Sequence, residues 1–384
     1  MATVLFLHSS SDLYGSDRSL IRTIDAVLEL GHSVFVCLPY QGPLVELLRK
    51  KGVIVYVFSL GVLRRKYFNL IGVFAFVWSF SYAFFRVLGI VRRSKIRLIH
   101  SNTSTILIGG VVSKLLGVSH IWHVREILTS PVFLRKSIHY CLANMSDKIV
   151  AVSRSTLDHI FLDQPSIINK ALVINNGLEI DGYLGGDGRQ LREELGLNEN
   201  DILVGMIARV SHWKGQDLFL NIAKKTFLEF DNVYFIALGS PFQGMENLMD
   251  SFRKEAVSLP VDRFFIHEFS DNVKDYLASF DVFILPSTQH DPLPTTVLEA
   301  MATKKAIIVN GHGGSTEMIE HKRSGFIVST PNDSDEFLMY LREYIKSPEL
   351  REEMSKGAFD RVNKDFSVKS YTHNIQQLFK QYLN

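Results

Sequence analysis

The 384-residue sequence predicts an α/β chain of two doubly wound, Rossmann-like domains, and three observations carry that expectation. Short apolar runs, rich in β-branched and aromatic residues, alternate with helical patterns along most of the length. The alternation breaks once, at NNGLEIDGYLGGDGRQ (175–190), and then resumes. Apolar residues at 46% and charged residues at 21% are globular values, and the chain is long enough for two cores.

The first series of buried-strand runs is TVLFLH, SVFVCL, VIVYVF, RLIHS, HIWHV, KIVAV and ALVI. Segments such as LIRTIDAVLEL (20–30) lie between them, with apolar residues three and four apart, as a helix covering a sheet requires. After the break come ILVGMIA, VYFIAL, RFFIH, VFILP, AIIV and GFIV. Strand, helix, strand at this rhythm means βαβ units, hence parallel sheets covered on both faces. The break reads as a linker between a first domain over 1–178 and a second over 179–366, with a C-terminal helix over 367–384 packing back on the first. Ligands of such sheets bind at the carboxyl ends of the strands, so two facing domains imply a cleft between them.

Composition excludes several classes. Cys37 and Cys141 each sit in an apolar run, as small core residues of a reducing compartment and not as a disulfide framework or metal site. The N-terminal MATVLFLHSSSDLYGSD lacks a basic region and reads as a first strand, not a signal peptide. The first βα turn, HSSSDLYGSDRSL, has a single glycine, which argues against a dinucleotide, and no phosphate-binding P-loop pattern occurs. The only D-x-D, DSD at 333–335, reads as a helix N-cap. Net charge is +2, yet residues 1–180 hold 20 Lys+Arg against 10 Asp+Glu. From Leu47 to Arg125 there are thirteen basic residues and no acid, which asks for an anionic partner.

Four stretches in the second half fall where strands end. ARVSHWKGQDL places Arg209 and Lys214 past ILVGMIA; such a pair could clamp a diphosphate, although alone it is also a common solvated loop. GSPFQG follows VYFIAL, with Gly239 and Ser240 allowing close backbone approach. HEFSDN brings Phe269 and Ser270 to a loop whose backbone could hold a base edge. DPLPTTVLEAMA sets Asp291 on a loop and Glu299 within the helix it feeds, and NGHGGSTEMI follows.

In order, spacing and residue type, RVSHWKG, NVKDYLASFDVFILPS, DPLPTTVLEAMA and GGSTE resemble the motifs of the retaining family 4 (group 1) glycosyltransferases of the GT-B fold. GSDRSL (15–20), HVRE (123–126), VSRST and NNGLEI match the family's first-half segments, so the resemblance covers nearly the whole chain. It implies a nucleotide-sugar donor, with Arg209, Lys214 and the start of the Pro292/Pro294 helix meeting the diphosphate through the N–H groups of Leu293, Thr295 and Thr296. It implies Glu299 on the ribose hydroxyls, and Asp291 and His123 facing the donor sugar as catalytic-side groups. Gly15 and Ser16 would approach phosphate or acceptor by backbone, with Arg125, Glu126 and Asn102 on the acceptor side. No metal or other cofactor is implied. One departure stands out: the family's first acid is usually glutamate followed by F-G, where this chain has Asp291, Leu293 and Pro294.

The expected activity is transfer of a hexose, with GDP-mannose as first donor, to a lipid-linked or growing polysaccharide, as in lipopolysaccharide synthesis. Alternatives are a nucleotide-sugar 2-epimerase of the same fold and a non-catalytic nucleotide-sugar-binding subunit. The uncharged, aromatic NLIGVFAFVWSFSYAFF (69–85) lies between Arg64, Arg65 and Lys66 and the cluster Arg86, Arg92, Arg93, Lys95 and Arg97. At about 17 residues it falls short of the ~20 that span a bilayer, and it reads as an interfacial helix on the anionic, cytoplasmic face of a membrane.

Overall fold

The computed structural model describes residues 1–63, 67, 69–242 and 244–383. It divides into two compact units, Met1–Gly177 with Val368–Asn384, and Leu178–Ser367. All thirteen apolar runs are strands, every observed pairing is parallel, and helices lie between them. The basic cluster Arg64, Arg65 and Lys66 lies outside the described residues.

In the first unit, β1 (Thr3–Leu7), β2 (Ser33–Leu38), β3 (Ile54–Val57), β4 (Leu98–Ser101), β5 (Ser119–Val124), β6 (Lys148–Ala151) and β7 (Ala171–Val173) form a sheet of order 3-2-1-4-5-6-7. The helices are α1 (Gly15–Glu29), α2 (Pro43–Lys50), α3 (Leu70–Arg93), α4 (Ile108–Leu116), α5 (Val132–Met145) and α6 (Arg154–Phe161). The period of two along β1 shows why both faces need cover. Val4 and Phe6 pack into one core with Leu20, Ile24 and Val27 of α1, while Leu5 and Leu7 pack into another with Ala83, Val87 and Val91 of α3. Cys37 belongs to that second core, where burial pushes its thiol well above the usual range.

The uncharged run expected at 69–85 is part of a longer helix. Asn69 caps α3, accepting from the Gly72 N–H at 2.7 Å, and the helix then runs 24 residues, through Arg86 to Arg93. A charge at position 86 does not stop it, because the Arg86 guanidinium lies 5.3 Å from the centre of the Phe58 ring. By length and composition α3 could cross a bilayer, but from Ala83 onward one face is packed in the unit's core. Its first turns are bare: Ile71 is 83% exposed, Phe74 76% and Trp78 79%.

In the second unit, β8 (Ile202–Ile207), β9 (Val233–Leu238), β10 (Phe264–His267), β11 (Val282–Leu285), β12 (Ala306–Asn310) and β13 (Phe326–Val328) form a sheet of order 10-9-8-11-12-13. Around it lie α7 (Arg189–Glu194), α8 (Gln216–Thr226), α9 (Glu246–Ala256), α10 (Val273–Ser279), α11 (Thr295–Ala302), α12 (Ser315–Met318), α13 (Ser334–Lys346) and α14 (Pro348–Asp365). Asp333 caps α13 as its sequence suggests, accepting from the N–H groups of Asp335 and Glu336. The final helix, α15 (Val368–Leu383), belongs to the first unit, where Tyr371, Ile375 and Phe379 enter the same core as α1.

Candidate functional site

A doubly wound sheet opens a crevice where its strand order reverses, because the connections on either side leave in opposite directions. In the second unit that point lies between β8 and β11. The loop after β8 carries Lys214 and the loop after β11 carries Asp291, and the Lys214 ammonium donates to Asp291 Oδ2. Both side chains are largely buried, at 13% and 8% exposure. Trp213 places its ring 4.5 Å from Lys214 Nζ. The sequence reading assigns Lys214 to the diphosphate and Asp291 to the sugar; the structure joins them in one ion pair. Arg209 lies on the same loop as Lys214, its guanidinium 3.5 Å from the centre of the Phe242 ring and its carbonyl accepting from Gln216 at 3.0 Å.

Asp291 is held from behind by a glycine turn. Gly314 donates its N–H to the Asp291 carbonyl at 2.7 Å, and Gly313 takes a positive φ of +70°. A Cβ at Gly313 would lie 2.6 Å from that carbonyl oxygen, and one at Gly314 would lie 2.0 Å from the Pro292 oxygen. Only glycines let the two loops approach this closely.

Helix α11 begins at Thr295 with Pro294 at its N-cap, so Thr295 and Thr296 occupy the first turn. Leu293 is buried and stands one residue before that cap. Further in, Glu299 Oε1 accepts from the Tyr183 hydroxyl at 3.0 Å. Gly239 follows β9, and Ser240 accepts the Phe269 N–H at 3.0 Å, so that N–H already has a protein partner. Around these loops several buried polar atoms have no hydrogen-bond partner among the described residues: Ser211 Oγ, Gln216 Oε1, Ser287 Oγ, Thr296 Oγ1 and both His312 ring nitrogens. Such atoms are costly unless a ligand or water satisfies them. The His312 ring lies 5.1 Å from that of His290, and its pKa is lowered by burial and then by His290.

The first unit has its own switch point, between β1 and β4. Gly15 and Ser16 are exposed in the first turn of α1, and Asp17 behind them is fully buried. Asp17 Oδ2 accepts the Tyr14 N–H at 2.9 Å and Oδ1 lies 2.7 Å from His8 Nε2. Asn102 Nδ2 reaches His8 Nδ1 at 3.0 Å, and Arg125 Nε donates to Asn102 Oδ1 at 2.9 Å. Arg125 Nη1 donates to Asn176 at 2.6 Å. Glu126 accepts from Thr103 and from the N–H and hydroxyl of Ser104. His123 is completely buried, its ring 5.5 Å from that of His100, and burial, then the charge of Arg125, holds its pKa well below the ordinary value.

Sequence reasoning missed Tyr183, His8, Asp17, Asn176, His290 and His312. Asp17 and Asn176 lie inside matched segments, GSDRSL and NNGLEI, and His290 and His312 each precede a residue of a matched motif, whereas Tyr183 and His8 carried no such signal. Among the described residues no three His, Cys, Asp or Glu side chains are grouped to hold a metal ion.

Residues 187–361 match the family model described as "Glycosyl transferases group 1". The chain is 25% identical to spore coat protein SA of Bacillus subtilis over 56% of its own length and 60% of that protein's. It is 23% identical to alpha-maltose-1-phosphate synthase of Mycolicibacterium smegmatis, over 74% and 78% of the two chains. The match thus spans less than two thirds of some curated relatives and more of others. Further relatives are glycosyltransferases of lipopolysaccharide and O-antigen biosynthesis. Among solved structures, Anabaena HepE in complex with UDP superposes with a TM-score of 0.84 at 21% identity, covering 99% of this chain and all of that one. Neighbours of this kind are GT-B glycosyltransferases, and the fold is theirs.

Proposed function

We infer that this chain, whose residues 187–361 match the group 1 glycosyl transferase model, carries out a retaining transfer of a hexose from a nucleoside diphosphate sugar to a lipid-linked or growing polysaccharide. The observation that carries this reading is the Lys214–Asp291 pair at the β8/β11 switch point, beside the start of α11. A donor bound there places its diphosphate against Lys214, Arg209 and the Thr295/Thr296 N–H groups. The sugar carbon–phosphate oxygen bond breaks, and the departing diphosphate is stabilised by these fixed positive groups. The acceptor hydroxyl bonds to the same face of the sugar carbon and passes its proton to the diphosphate. Glu299 accepts from the ribose hydroxyls, and Asp291 accepts from sugar hydroxyls. In this reading the protein's own cations fill the place of a divalent ion, and no other cofactor enters.

GDP-mannose is the proposed donor; the second reading is UDP-glucose, because HepE is known in complex with UDP and with UDP-glucose. The relatives in lipopolysaccharide and O-antigen synthesis support a surface-polysaccharide acceptor. The bare first half of α3, with Arg92 and Arg93 at its end, supports peripheral attachment to an anionic cytoplasmic membrane face. A thermal-shift screen with UDP-, GDP-, ADP- and dTDP-sugars tests the donor assignment. GDP-mannose should raise the melting temperature most, and no shift with any donor would contradict the reading.

A further inference from the structure

The first unit's polar network has two ends whose hydrogen-bond direction is fixed by chemistry. An ionised carboxylate only accepts, and a guanidinium only donates. Asp17 therefore requires the His8 proton on Nε2, facing Oδ1 at 2.7 Å, leaving His8 Nδ1 to accept. Starting from the other end, Arg125 Nε donates to Asn102 Oδ1 at 2.9 Å, so Asn102 turns its amide nitrogen to His8 Nδ1 at 3.0 Å. The two derivations meet at His8 and agree.

Arg125 also directs its Nη2 at His123 Nδ1, 3.4 Å away, and at the Tyr371 hydroxyl, also at 3.4 Å. A donor-only group facing Nδ1 leaves that nitrogen as the acceptor, so the proton sits on Nε2. Nε2 is buried and has no partner among the described residues. Burial of the ring, and then the Arg125 cation beside it, oppose a second proton. In this arrangement four of the five Arg125 N–H groups face Asn102, Asn176, His123 and Tyr371, so most of its donor capacity is spent on the protein's own groups.

We propose that Arg125 is a positioning residue that fixes His123 as a neutral imidazole with its single proton on Nε2, a hydrogen-bond donor and not an acid or base. This rests on the reading of His123 as a donor-sugar residue. A neutral N–H donor suits a sugar hydroxyl oxygen, and a ring held neutral by burial and by Arg125 has no acidic proton for the leaving diphosphate.

The test is long-range ¹H–¹⁵N correlation NMR on full-length protein with ¹⁵N-labelled histidine, near neutral pH, the His123 signals being assigned with His123→Gln. Wild type should show a protonated Nε2 and a bare Nδ1. In Arg125→Met the neutral Nδ1-protonated form should appear, and turnover should fall about tenfold with nucleotide affinity unchanged. A wild-type proton on Nδ1 overturns the proposal whether or not the variant folds. So does an unaltered tautomer in folded Arg125→Met. A shifted tautomer with wild-type turnover would instead overturn the donor-sugar role of His123, so the two failures are distinguishable.

Discussion

Lys214 and Asp291, 77 residues apart in sequence, form a largely buried ion pair across the point where the second sheet reverses its strand order. Removing either partner leaves a charge without its counterion in a site that water barely reaches. Lys214→Ala should therefore lose about 3–5 kcal/mol of stability as well as about 10²-fold in turnover. Arg209→Ala should lose similar turnover with less effect on stability, since its loop cation is stacked on Phe242 and not locked in this pair. Denaturant unfolding and steady-state kinetics of the two variants check the contrast.

In the proposed reading the carboxylates of Asp291 and Glu299 divide the donor between them. Glu299→Ala should weaken nucleoside diphosphate binding by about 1.5–3 kcal/mol, the scale of a hydrogen bond to a charged group. Tyr183→Phe, which removes the hydroxyl on Glu299 Oε1, should cost about 1 kcal/mol in the same calorimetric titration. Asp291→Asn should leave that affinity nearly intact and reduce transfer. Exchanged phenotypes would refute the division.

The glycine turn behind Asp291 makes a sharper structural prediction. Gly313→Ala adds a Cβ that would stand 2.6 Å from the Asp291 carbonyl oxygen at a φ of +70°. Both the contact and the backbone conformation oppose it. Transfer should fall at least tenfold, with nucleotide affinity much less affected, because the displaced loop carries Asp291 and not Glu299.

Acid stability is set in part by His120, fully buried between Ser101 and the Met145 carbonyl. Burial lowers its pKa from 6.5 to about 4. The folded state thus binds fewer protons than the unfolded chain in this window. Its contribution is complete above pH 6.5 and is lost as pH falls toward about 4, at about 1.4 kcal/mol per unit. His120→Gln should flatten that part of the stability–pH curve measured by chemical denaturation.

Exposed Phe74, Trp78 and Phe85 of α3 should carry membrane attachment. The protein should co-sediment with anionic but not neutral vesicles, more weakly as salt rises, and Phe74→Ser/Trp78→Ser should abolish it. Equal recovery with both lipid types would argue against the attachment.

The fold was legible because each strand is a short, mostly apolar run enriched in β-branched and aromatic residues between helical periods, and all thirteen such runs pair as strands. The placement of Arg209 and Lys214 after β8, and of Asp291 and Glu299 after β11, was legible because they occupy ordered motifs between predicted strands. The contacts that orient them were not. Tyr183 reaches Glu299 across 116 positions, and Tyr371 reaches Arg125 across 246, and no local pattern records such pairs. Helix α3 was under-measured because Arg86 looked like a terminus, whereas its guanidinium rests on Phe58 and the helix continues.

Nucleoside diphosphate release from hexose donors, measured without added metal for wild type and Lys214→Ala, tests the central claim most directly. The account predicts release by wild type from at least one donor, faster with a lipid-linked acceptor, with the anomeric configuration retained in the product. It predicts about 10²-fold less from the variant, checked to be folded at the assay temperature. Equal release by both proteins, or an inverted product, would contradict it.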